Sequence, residues 1–123
     1  MYKLVVLDMD GTLLNSQKEI TSRVRCAIAA ALRQGVHVAL ASGRALEGML
    51  SSLNELQLNA EEHYVLTHNA SLILKCDCKT VVRSKMITGR DTLELYELAK
   101  KLGVHIHAHS AKQGLITPAN NKY

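Results

Sequence analysis

Tryptophan and phenylalanine are absent from this 123-residue chain, and four tyrosines are its only large aromatics. Any core must therefore be built from Leu, Val, Ile, Ala and Met. Aromatic side chains interleaved with basic ones are missing, and the 15 Lys and Arg residues are scattered rather than striped. Both facts argue against a nucleic-acid surface. No apolar run approaches the roughly 18 residues of a membrane span, and no charged-then-apolar leader precedes Lys3, so a cytoplasmic location without membrane contact is expected. The three cysteines, Cys26, Cys76 and Cys78, are an odd number and have no four-ligand zinc spacing. Reduced thiols are expected, with a redox or metal pair at Cys76-Asp77-Cys78 left open. Internal repeats, low-complexity tracts and a glycine-rich dinucleotide fingerprint are also missing.

What is present begins at once. Leu4, Val5, Val6 and Leu7 predict a strand buried on both faces, as in the middle of a parallel sheet. The strand runs into Asp8-Met9-Asp10-Gly11-Thr12, two carboxylates at i and i+2 followed by a flexible residue and a hydroxyl. Ligands of open α/β sheets bind at the carboxyl ends of strands, where this pair falls. One carboxylate can attack phosphorus and carry a covalent phosphoryl group. The other can protonate the leaving oxygen and later deprotonate water. Two acids this close repel, so Mg²⁺ held by Asp8 and Asp10 is the expected mediator. A plain turn at Asp10-Gly11 is the competing reading.

Strand, helix, strand follow in order. Thr21 is a plausible N-cap, Val24, Ile28, Ala31 and Leu32 form an apolar stripe, and Gly35 can stop the helix. Residues 36–41 then predict a second strand, completing a βαβ unit. It ends in Ser42-Gly43-Arg44, a hydroxyl, a backbone N–H and a guanidinium suited to phosphate oxygens, although Ser42 could instead cap the next helix. That helix carries Leu46, Met49, Leu50, Leu53 and Leu56 on one face. A third strand is expected over 64–67, with His68-Asn69-Ala70 at its end, and a hairpin over 71–83. Beyond a boundary near Lys85, Asp91-Thr92-Leu93-Glu94 resembles a capping box, opening a helix that Gly103 stops. Strands are expected over 104–109 and 115–117, followed by Pro118 and a polar tail, Asn120 to Tyr123. On the first of these, His105, His107 and His109 would share one face, which suits a polar wall or, less simply, a metal.

The string Asp8 to Asn15 resembles the first motif of the haloacid dehalogenase superfamily, and Ser42-Gly43-Arg44 resembles its second as found in Cof-type sugar-phosphate phosphatases. The similarity runs along the whole chain. It implies an α/β fold, a partial Rossmann-like parallel sheet over 1–84, with the start of an α+β cap domain over 85–123. It also implies Mg²⁺-dependent hydrolysis of small phosphomonoesters, with Asp8 as nucleophile and Asp10 as acid and base. Met9 (through its backbone N–H), Ser42, Gly43, Arg44 and Asn69 would hold the substrate phosphate. Where the family usually has Asn-Gly, this chain has Asn69-Ala70. The family further uses a later Lys and a Gly-Asp-x-x-Asn-Asp-like loop, yet this sequence contains no Gly-Asp pair. Losing two such preorganised charges lowers a rate by about 10⁴ or more. A truncated phosphatase, weak or inactive alone, is expected, with a non-catalytic phosphate-binding remnant or assembly subunit as the alternative. In such a chain the first strand would be an exposed apolar edge, and self-association through it is expected.

Overall fold

The structure, a computed structural model, describes residues 2–110 and 113–118. It divides into two compact units, Met1–Lys85 and Met86–Tyr123. The first contains β1 (Leu4–Asp8), α1 (Ser22–Arg33), β2 (His37–Ala41), a 3₁₀ turn (Leu46–Gly48), α2 (Leu50–Glu55), β3 (Tyr64–Thr67), β4 (Leu72–Lys75) and β5 (Val81–Ser84). One sheet runs in the order β1-β2-β3-β4-β5. Its first three strands are parallel and the last two antiparallel. Thr21 caps α1 by accepting from the Val24 N–H, and Gly35, at φ 74°, takes the left-handed conformation that ends it.

Two expectations need correction here. β1 is not buried on both faces: Leu4, Val5 and Val6 are exposed and Leu7 is half-buried. Among the described residues it pairs with β2 alone, and α1 leaves an open apolar trough lined by Val5, Leu7, Val24 and Ile28. The helix after Arg44 is also broken, into the 3₁₀ turn and the six residues of α2. Gly48 falls at the break and disfavours helix there. Met49, Leu53 and Leu56 do face inward, but Leu50, about 100° round the helix from Met49, is exposed. The buried cluster joins these residues to Met9, Leu40 of β2 and Val65 of β3.

At the opposite end of β2 from Ser42, the buried His63 accepts a hydrogen bond at Nδ1 from the Val38 N–H (3.4 Å), and the His37 ring lies 6.0 Å away. Burial first, then the neighbouring His37, lowers the His63 pKa below the ordinary 6.5. The unfolded chain thus binds this proton more readily, so stability is full above pH ~6.5 and is lost as pH falls below it. Urea midpoints at pH about 7.5 and about 5.5 should differ in the wild type and differ less in His63→Gln.

The loop between β4 and β5 carries the cysteine pair. Burial, then Cys78 and Asp77, push the Cys76 thiol up to about 12, and burial raises Cys78 as well. Both are free thiols, and their raised pKa values favour the protonated form.

The second unit holds α3 (Gly89–Leu102), β6 (Ala108–Ser110) and β7 (Gly114–Ile116), the two strands antiparallel. Its capping box lies three residues earlier than expected. Thr88 is the N-cap, its hydroxyl accepting from the Asp91 N–H and the Asp91 carboxylate accepting from the Thr88 N–H, each at 3.1 Å. Gly103, at φ 64°, ends the helix. Of the stretch 104–109 only residues 108 and 109 fall in a strand, β6, so His105 and His107 lie outside it and the three do not alternate along one strand. Among the described residues no group of three His, Cys, Asp or Glu side chains is placed to hold a metal, and no helix is long and apolar enough to cross a membrane. The tail Asn120 to Tyr123 lies outside the described residues.

Candidate active site

The parallel register Asp8↔Ala41↔Leu66 brings the ends of β1, β2 and β3 to one edge of the sheet. Strand alternation then sorts the first segment. Met9 is fully buried, so Asp8 and Asp10 on either side of it are exposed. Gly11, at φ 77°, turns the chain back, and the Leu13 and Leu14 N–H groups close the turn onto the Asp8 and Met9 carbonyls at 3.1 and 2.8 Å. Both leucines are buried, so the acid pair rides on a turn anchored from below.

Asp10 meets the end of β2 directly. Arg44 grips its carboxylate in a two-pronged contact, Nη2 to Oδ1 at 2.7 Å and Nε to Oδ2 at 3.1 Å. A third nitrogen of the same guanidinium, Nη1, donates to the Gly48 carbonyl at 3.2 Å. Lys18 adds a second cation, Nζ to Oδ1 at 2.7 Å. The Arg44 guanidinium first, and the Lys18 ammonium after it, hold the Asp10 carboxyl at about 2. In this arrangement Asp10 is a carboxylate whose charge is offset by protein cations. The Asp8 carboxylate, on an exposed residue at the strand's end, makes no hydrogen bond or ion pair with a described residue.

Ser42 is buried, with its hydroxyl oxygen accepting from the Arg44 N–H at 3.2 Å and its own N–H donating to the Leu66 carbonyl. It caps no helix: the 3₁₀ turn starts from Ala45, without a side-chain cap. The hydroxyl proton remains available to an anion. The segment after β3 clasps this loop, His68 N–H to the Arg44 carbonyl and Asn69 N–H to the Ser42 carbonyl, both at 3.0 Å. A Cβ on Gly43 would meet Asn69 Oδ1 at 3.2 Å, so the Asn69 amide lies over Gly43. His68, Asn69 and Ala70 all have positive φ, 49°, 54° and 64°. Three left-handed residues in succession carry backbone strain, and alanine tolerates it worse than asparagine. Ala70→Gly should therefore stabilise the fold by roughly 0.5–1 kcal/mol, the relief exceeding the entropy glycine adds to the unfolded chain. A rise in the urea midpoint checks it.

Nothing in the sequence pattern singles out Lys18 itself. Its signal was the turn former Asn15, whose Oδ1 accepts from the Gln17 and Glu19 N–H groups at 2.9 Å and folds the loop back toward Asp10.

Comparison with known proteins gives a consistent neighbourhood. Residues 5–123 match the family described as haloacid dehalogenase-like hydrolase. A Streptococcus pyogenes protein that carries a phosphatase name is 40% identical over 97% of this chain and 44% of its own length. The 5-amino-6-(5-phospho-D-ribitylamino)uracil phosphatase of Bacillus subtilis is 35% identical over 90% of this chain and 43% of its own length. A solved haloacid dehalogenase-like hydrolase from Bacteroides thetaiotaomicron superposes with a TM-score of 0.84 at 34% identity, over 97% of this chain and 44% of that one. The chain thus spans less than half the length of these relatives.

Proposed function

This chain belongs to the haloacid dehalogenase-like hydrolases, of the Cof type, and from that premise we propose that it is built to hydrolyse small phosphomonoesters through a phosphoryl group carried on Asp8. The observation that carries the reading is the Asp10–Arg44 contact, which draws the acid pair and the Ser42-Gly43-Arg44 loop into one corner. There Asp8 Oδ attacks phosphorus, and the bond between phosphorus and the ester oxygen breaks. Asp10, once protonated, gives its proton to that oxygen; as a carboxylate it then takes a proton from the water that cleaves the phosphoaspartate. The Ser42 hydroxyl, the Gly43 and Met9 N–H groups, Arg44 and Asn69 hold the phosphoryl oxygens.

Mg²⁺ is bound in other proteins through one or two carboxylates plus substrate phosphate and water, and the uncommitted Asp8 fits that pattern. Asp10 could join only by leaving Arg44 and Lys18. When bound, the ion would offset the charge shared by Asp8 and the phosphate. Sugar phosphates are the proposed substrate class, supported by the resemblance in sequence and by the phosphoribityl compound named for the Bacillus subtilis relative. A second reading, phosphate binding without hydrolysis, is favoured by the Arg44 and Lys18 contacts that hold Asp10 as a carboxylate rather than as a proton donor. Self-association rests on the exposed β1 edge alone.

Release of phosphate from an aryl phosphate decides between the two. Release that requires Mg²⁺ and stops with a chelator is expected. Phosphate binding without release under either condition would favour the second reading.

A further inference from the structure

We propose that Lys18 is a positioning residue of the phosphate site, keeping Asp10 paired while an incoming phosphate draws Arg44 away from it. The inference rests on the phosphate reading above and concerns how the site opens. Three of the five Arg44 N–H donors are engaged: Nε and Nη2 form the fork on Asp10, and Nη1 is on the Gly48 carbonyl. A phosphate can take the Nε/Nη2 fork only by exchange with the Asp10 carboxylate, which occupies the anion's place there. Such an exchange leaves Asp10 without its two-pronged partner, and an abandoned carboxylate beside an arriving dianion opposes binding. Lys18 already touches the same Oδ1 and, 64% exposed on a flexible stem, can follow Asp10 as it turns.

The loop that presents Lys18 looks built for that contact. Lys18 sits at φ 63°, a left-handed backbone that lysine disfavours, and it is held there by its N–H on the Asn15 carbonyl and by the two N–H groups on Asn15 Oδ1. Residues 16–19 are exposed and contribute nothing to the core. Their link to the acid pair is the Lys18–Asp10 bond.

Inorganic phosphate, titrated in Mg²⁺-free buffer and followed through the Ser42 and Gly43 amide resonances, tests the exchange in the full chain. Asp10→Asn should bind phosphate more tightly, because the internal competitor is weakened. Lys18→Met should raise Kd about 3–5-fold in the native background, the scale of an exposed ion pair, and clearly less in the Asp10→Asn background. Lys18→Gln should behave as Lys18→Met does. Equal losses in the two backgrounds would mean simple charge attraction and would overturn the exchange while leaving the phosphate site standing. Loss of the amide response in every protein, wild type included, would instead overturn the phosphate reading and the exchange with it.

Discussion

Asp8→Asn should reduce Mg²⁺-dependent release of phosphate from an aryl phosphate by on the order of 10⁴ or more, to the background of buffer alone. The amide is nearly the same size as the carboxylate, and residue 8 is exposed at the strand's end, its side chain making no hydrogen bond to a described residue. The fold therefore loses nothing, and thermal unfolding of the variant should overlay that of the wild type. The same change at Asp10 should behave differently. A proton donor contributes about 10²–10⁴ when the leaving oxygen is basic. A phenolate leaves with little help, so Asp10→Asn should cost far less on an aryl phosphate than on a sugar phosphate. Equal damage on both substrates would remove Asp10 from the acid role.

Leu40→Ala should have the largest effect on the fold. Leu40 is fully buried in the middle of β2, paired with Leu7 of β1 on one side and Val65 of β3 on the other. Truncating such a leucine costs about 2–5 kcal/mol. Domains as a class have only about 5–15 kcal/mol to lose. The site should go with the fold, because β2 is the strand that ends in Ser42, Gly43 and Arg44. Val81→Ala serves as the control: on the exposed β5 it should move stability by no more than about 0.5 kcal/mol. Urea unfolding followed by circular dichroism measures both.

The site is more legible in this sequence than the packing around it. Asp8, Asp10 and the Ser42-Gly43-Arg44 loop can be placed at one edge because each ends an apolar run, and parallel strands end on the same side. Asn69 can be placed for the same reason. Lys18 cannot, because its approach to Asp10 depends on a left-handed residue and on Asn15 folding a polar loop back, and neither leaves a periodic trace. The burial of β1 is hidden from the apolar run itself, since four apolar residues in a row declare what a strand can bury, not how many neighbours it has. The exposed edge expected from the family resemblance is what is found. In α3 the box is misplaced because Asp91 qualifies as a cap by residue type, while Thr88 wins by standing three residues ahead of a carboxylate that can answer it. The break before α2 follows from Gly48, a residue whose weak helix propensity is outvoted when apolar spacing alone is counted.

Covalent phosphoryl transfer to the first acid is the central claim, and acid-quenched mass spectrometry reads it most directly. The full chain is mixed with an aryl phosphate and Mg²⁺, quenched in acid and digested. A peptide containing Asp8, heavier by one phosphoryl group and unlabelled in Asp8→Asn, is the predicted result. Phosphate release that proceeds undiminished in Asp8→Asn, with no labelled peptide from the wild type, would contradict it.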